Sequence, residues 1–175
     1  MKKIFGLVAS LTAIAGVCAG VLAYVNSLTA DPIAKMLVKK TFESAEAVMP
    51  AGVSNVEKDD ATGIFLGKNE AGEVIGYAVD GTDAGGYGGD IKLMVGFEAD
   101  KKTVVRYRTL LAAETPGLGM KLNTPEFADQ FGGKAALSLA VKKDGGEIDA
   151  ITSATITSRA VCRAIANAAS KLSQH

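Results

Sequence analysis

With 175 residues, 19 basic and 19 acidic side chains and a formal charge of zero, the chain is long enough for one domain with a real core plus a short extra segment. Lys2 and Lys3 are the only charged side chains before Asp31, so residues 26–175 carry 17 basic against 19 acidic groups, and a part near about −2 offers nucleic acid no basic patch. The only histidine is the terminal His175, and the two cysteines are Cys18 and Cys162, which excludes a Ser-His-Asp triad, a histidine zinc site and an iron–sulfur cluster held by this chain alone, so any redox work needs an organic cofactor.

Behind Met1-Lys2-Lys3, Ile4 to Val25 run for 22 residues without a charge. At helical rise such a run spans about 33 Å, close to the roughly 30 Å of a bilayer core. A signal peptide is the alternative, but its apolar part is usually shorter and Leu28 fits a cleavage site at Ala30 poorly. We therefore expect a retained membrane helix. The lysine pair on one side puts the N-terminus in the cytoplasm and the rest outside.

Asp31-Pro32 reads as the start of a second helix, with Pro at the first position. Val38, Phe42, Ala45 and Met49 give it an apolar stripe, and Pro50 ends it. Residues 61–111 read as antiparallel strands. Ile64-Phe65-Leu66, a turn at Asn69–Gly72 and Val74 to Val79 form a hairpin. Ile91, Leu93, Val95 and Phe97 alternate, and after a polar turn Val105, Tyr107, Thr109 and Leu111 alternate again, with Arg106 and Arg108 on the other face. Between the pairs lies Gly85-Gly86-Tyr87-Gly88-Gly89-Asp90, which is not a dinucleotide fingerprint because Ile91 takes the last glycine position. It is either a loop tip or backbone held close to a ligand or partner.

Glu114-Thr115-Pro116-Gly117-Leu118-Gly119 contains turn chemistry, but a turn alone does not require its Glu, Thr or Leu. Thr124-Pro125-Glu126 caps a short helix to Phe131, and Leu137, Leu139 and Val141 predict one more strand. The chain then reaches Asp149-Ala150-Ile151-Thr152-Ser153-Ala154-Thr155-Ile156-Thr157-Ser158, followed by a helix with Val161, Ile165, Ala168 and Leu172 on one face. The plain reading is a helix capped by hydroxyl or carboxylate oxygens. The alternative is a phosphate at the helix start, where free N–H groups and the dipole favour an anion. The predicted organisation is α+β: a transmembrane anchor (1–30), a juxtamembrane helix and connection (31–60), and one antiparallel-sheet-plus-helices domain (61–175).

Together the membrane helix, the Gly-Tyr-Gly-Gly loop, the Glu114–Gly119 segment and the Asp149 motif resemble the FMN-binding domain family. The match is best to the G subunits of Rnf-type ion-translocating electron-transport complexes, with the C subunits of sodium-translocating NADH:quinone reductases as the related second choice. The resemblance implies a flavoprotein electron-relay subunit with no complete active site of its own. Its FMN would be joined by a phosphoester to Thr155, the last residue of the family's Asp-x-Ile-Ser/Thr-Gly-Ala-Thr pattern. Ser153 stands where that pattern has Gly, a change the chain tolerates unless the backbone there needs a positive φ.

The resemblance also makes Glu114, Thr115, Pro116, Gly117 and Leu118 a wall against the flavin, and gives Thr152, Ser153, Ala154, Thr157 and Ser158 supporting or capping contacts. Asp149 would orient the loop or be read by the attaching enzyme, or be a plain loop carboxylate; Lys121 would meet the phosphate or a ring oxygen or, the preferred reading, be a solvated lysine, and Cys162 reads as packing. Its implied partners are the membrane, iron–sulfur and flavin subunits of an Rnf-type complex, and a flavin transferase that uses FAD. The implied place is the cytoplasmic (inner) membrane. The competing functions are a membrane-anchored binding module without redox work and a free-standing flavin reductase.

Overall fold

The computed structural model describes residues 2–175, which fall into two units, one up to Lys40 and one from Thr41 to His175. The first unit is helical throughout. It belongs to α1 (Lys2–Val48), whose apolar window has a mean hydropathy of 2.1 and no buried side chains, so it is long and apolar enough to cross a membrane. The side chains of Lys2 and Lys3, on which the expected orientation rests, lie outside the described residues.

The predicted break at Asp31-Pro32 is absent: Pro32 lies inside α1. Pro suits a first helical turn, but it also occurs within apolar helices of membrane-spanning length. Pro32 brings no N–H to the carbonyl of Leu28. One turn earlier, hydroxyls supply extra donors, with Ser27 Oγ donating to Tyr24 O at 2.7 Å and Thr29 Oγ1 to Val25 O at 3.0 Å.

The second unit opens with the last turns of α1 and continues into a five-stranded antiparallel meander. Its strands, β1 (Asn55–Lys58), β2 (Phe65–Lys68), β3 (Val74–Asp83), β4 (Ile91–Glu98) and β5 (Val104–Leu111), lie in chain order. A short α2 (Pro125–Ala128) and the long α3 (Thr155–Ser173) complete it. β1 escapes sequence reading because Val56 is its only apolar residue. An alternating pattern needs at least two inward positions to be seen.

Both faces of the sheet are covered, which explains why β4 is buried almost end to end. Leu93, Val95 and Phe97 point into the larger core with Tyr107, Phe131, Val161, Ile165, Ala168 and Leu172, while Met94 joins Ala45, Val48, Met49, Phe65 and Ala78 on the other side. The predicted face of α3 is therefore the buried face. Each aliphatic side chain removed from water this fully contributes about 1.5–3 kcal/mol.

Two expectations fail in instructive ways. β5 does not keep one alternation: the register passes from Gly96↔Arg106 to Phe97↔Val104 and from Lys92↔Leu111 to Leu93↔Thr109. Bulges at Val105 and Leu110 shift the parity, so Val104 and Tyr107 are buried, Leu110 packs on the opposite core and Leu111 is exposed. The strand expected at Leu137–Val141 is a 3₁₀ turn over Ala136–Ser138, followed by a single bridge between Val141 and Ile148. There Ala136 and Val141 are buried and Leu137 is exposed, because the chain turns back at Gly145-Gly146 before a ladder can form.

α3 is also stitched to β3 along its polar flank. Arg163 donates twice to Asp83, at 2.9 and 2.8 Å, and Asn167 Nδ2 donates to Thr82 O at 2.9 Å. Lys171 reaches Asp80. Burial opposes ionisation of Asp80, but hydrogen bonds from Lys171 and Lys92 outweigh it and hold its carboxyl below the ordinary range.

Candidate functional site

Three segments distant in sequence meet beside the start of α3. They are the glycine-rich loop after β3, the strap that leaves β5 through Glu114–Gly119, and the stretch 149–154. Glu114 ties the loop and the strap to the first turn of α3. Its side chain is only 6 % exposed, with Oε1 accepting the Gly88 N–H at 3.2 Å and Oε2 accepting the Thr157 hydroxyl at 2.9 Å. A buried carboxylate costs several kcal/mol unless its oxygens are paired, and here both are. Only glycine fits at position 119, since a Cβ there would lie 2.4 Å from Glu114 Oε2.

The segment before α3 is closed by its own helix. Ser158 Oγ accepts the Ile151 N–H at 3.0 Å and donates to Ala154 O at 3.0 Å, with Ser158 fully buried. The first helical residue is Thr155, and its N-cap, Ala154, makes no side-chain cap bond. The expected capping by Asp149, Thr152 or Ser153 is thus corrected: the helix begins too late for their oxygens to reach its first turn.

These segments wall a cleft of about 590 Å³ lined by Tyr87, Glu114, Thr115, Leu118, Gly119, Ser153, Ala154, Thr155, Ile156 and Thr157. Of the residues singled out from sequence, it gathers Glu114, Thr115, Leu118, Ser153, Ala154, Thr155 and Thr157. Pro116 and Gly117 lie at the exposed tip of the strap, outside its lining, and Ser158 is internal. Thr152 and Asp149 face two smaller clefts, one of which also takes Lys121. Asp149 is exposed, with its carboxylate on Lys142 Nζ at 2.7 Å and its N–H on Gln130 Oε1 at 2.7 Å.

The hydroxyls near the helix start differ in what they are free to do. Thr157 and Ser158 are fully buried and spend theirs on Glu114 and on the backbone. No hydrogen bond engages the Thr155 hydroxyl among the described residues, and Thr155 is half-buried on the cleft wall. Cys162 is buried in the core, and burial pushes its thiol up to about 11, which makes it inert packing at neutral pH.

Ser153 has φ 62°, one of two positive φ values on non-glycine residues in the described chain. The position therefore does need the left-handed backbone that the sequence left in question. A non-glycine residue there costs about 1–2 kcal/mol, against about 0.4–1 kcal/mol of extra unfolded-chain entropy for glycine. Ser153→Gly is expected to raise stability by roughly 0.5 kcal/mol, and Ser153→Val to lower it by about 1 kcal/mol or more, both read from thermal melts.

Sequence reasoning missed Tyr87, Gly119 and Ile156 as lining residues. Tyr87 had a signal, as the one aromatic side chain set between two glycine pairs. Ile156 also had one, as an aliphatic residue off the buried stripe.

A family profile described as "FMN-binding domain" matches residues 86–170. The chain is 30% identical over 176 residues to the G subunit of the ion-translocating oxidoreductase complex of Methanosarcina acetivorans, covering 95% of this chain and 93% of that one. It is 33% identical to the G subunit of the Na(+)-translocating ferredoxin:NAD(+) oxidoreductase complex of Acetobacterium woodii, over 91% and 87% of the two chains. Among solved structures it is similar to the C subunit of the Na(+)-translocating NADH-quinone reductase from Parabacteroides distasonis, with a TM-score of 0.53 and 28% identity over 63% of this chain and 60% of that one.

Proposed function

The chain belongs to the family of G subunits of ion-translocating oxidoreductase complexes, with an FMN-binding domain over residues 86–170, and we propose that it serves such a complex as a membrane-anchored electron relay with FMN esterified to Thr155. The observation that carries this reading is the free Thr155 hydroxyl on the wall of the cleft, next to hydroxyls that are already committed.

The residues present fit the cofactor. The cleft volume lies within the ~300–1,000 Å³ that takes a ligand of this size. Its lining combines apolar side chains, Tyr87, Leu118 and Ile156, with a few polar groups, Glu114 and Thr157 among them fixed by their mutual bond. When bound, FMN supplies the capacity to accept and donate electrons. The protein's own work is binding and orientation. Tyr87 and Leu118 offer surfaces to a flat ring, and Glu114 fixes both the glycine loop and the first turn of α3. Thr155 offers the point of attachment.

A threonine hydroxyl needs a base to become a nucleophile. Both oxygens of Glu114, the buried carboxylate of the cleft, are already bonded to Gly88 and Thr157. Attachment is therefore assigned to a separate enzyme, which the family resemblance implies is a flavin transferase with FAD as donor. In that step Thr155 Oγ bonds to the flavin-side phosphorus, the pyrophosphate bond breaks, AMP leaves, and the hydroxyl proton passes to the transferase or solvent. Placement at the start of a helix favours the remaining phosphate charge by about 0.3–2 kcal/mol.

Intact mass after expression with the transferase tests the reading. The expected gain is one FMN less one water, in a yellow protein, and an unmodified colourless chain from its native host overturns it. A second reading, a C subunit of a sodium-translocating NADH:quinone reductase, rests on the structural similarity to that protein. Co-purification separates the two, since iron–sulfur subunits accompany the Rnf-type assembly. We further assign the chain to the cytoplasmic membrane with its N-terminus inside and the FMN domain outside, on the strength of Lys2 and Lys3 before the apolar run.

A further inference from the structure

Thr155 and Ser153 line not one cleft but two. Besides the large cleft there is a second, of about 380 Å³, lined by Lys142, Lys143, Asp149, Ala150, Ile151, Thr152, Ser153 and Thr155. The two differ in chemistry. The first presents Tyr87, Leu118 and Ile156, and the second presents two lysines and one carboxylate.

The lysines ride on a turn that is built in. Lys142 N–H donates to Ile148 O at 2.8 Å, and Asp144 N–H to Val141 O at 2.8 Å. The Asp144 carboxylate receives two bonds from Arg159, at 2.7 and 2.6 Å, one helical turn beyond Thr155. Those bonds hold the Asp144 carboxyl below its ordinary range. Asp149 takes up Lys142, while Lys143 makes no hydrogen bond or ion pair among the described residues. With Arg159 set against Asp144 and Lys142 against Asp149, Lys143 leaves this cluster with one net positive charge beside the hydroxyl that is to be esterified. A phosphodiester carries one negative charge.

We propose that this second cleft is the phosphate subsite of the flavin site, in which Lys142 and Lys143 hold the phosphate group joined to Thr155 while the ring lies in the larger cleft. The inference rests on attachment at Thr155. Two sources supply the same chemistry, the phosphodiester already in place and the pyrophosphate of the incoming FAD.

Limited acetylation of the full chain, loaded and unloaded, with peptide mass spectrometry distinguishes them. If the attached phosphodiester sits there, acetylation of Lys142 and Lys143 falls several-fold on loading, while the exposed Lys58 and Lys102 react equally in both forms. If the subsite instead receives FAD, the lysines are not protected, but a Lys142→Gln/Lys143→Gln chain takes up FMN several-fold more slowly than the natural chain. Equal acetylation together with equal loading rates overturns the subsite and leaves the attachment reading intact. A natural chain that gains no mass overturns the attachment reading, and the subsite falls with it.

Discussion

A Thr155→Ala chain, expressed with a flavin transferase, is expected to stay at its unmodified mass and to be colourless, a complete loss of adduct. Two controls separate chemistry from structure. Thr155→Ser keeps a hydroxyl at the same point of the cleft, primary where threonine's is secondary, and is expected to load. Thr157→Val removes the donor to Glu114 Oε2 and leaves one oxygen of a buried carboxylate without its partner, which costs about 1–3 kcal/mol. That variant is expected to melt earlier yet still carry FMN, provided it is produced below its melting temperature. An adduct that survives Thr155→Ala and disappears in Thr157→Val would move the attachment point and overturn the assignment.

Gly81→Val is expected to damage the fold severely. The sheet lets α3 approach so closely that a Cβ at Gly81 would lie 2.1 Å from Ala164 O and 2.9 Å from the Ala168 Cβ. A backbone carbonyl within a 19-residue helix cannot swing aside, so the helix must lift from β3. Lifting it loosens Ile165, Ala168 and Leu172 in the core and the Arg163–Asp83 and Lys171–Asp80 pairs at the flank. Overpacking of this kind costs about 3 kcal/mol. For a unit of this size the melting temperature should fall by on the order of 10 °C. A melt unchanged within a degree would show that α3 is not seated as described. The same geometry recurs on the other face, where a Cβ at Gly96 would lie 1.9 Å from Val48 O.

Much of this was legible in the sequence, for physical reasons that can be named. The apolar run of α1, the alternation of β4 and the 3.6-residue stripe of α3 each repeat one signal many times. β1 and the bulges of β5 do not: one has a single inward residue, and the others reset the count at Val105 and Leu110. The Asp149 stretch announces a site but not its capping chemistry, because Ser158 does from inside the helix what an N-cap does from outside. Tyr87 was visible only as an aromatic in a glycine loop. Lys142 and Lys143 gave no signal, since their place beside Thr155 depends on Asp144 finding Arg159 across a turn.

The Ser158 bridge also sets how this region exchanges and how it can evolve. Because Ile151 N–H is held by a fully buried hydroxyl seven residues ahead, its proton should exchange with solvent only when the head of α3 opens, not when the exposed strap at Pro116 and Gly117 moves. The attachment segment is in this respect self-contained. The Ile151–Ser158 link closes eight consecutive residues on themselves, so sequence drift in the surrounding loops reaches the residue that is to be modified through Glu114, which holds Thr157.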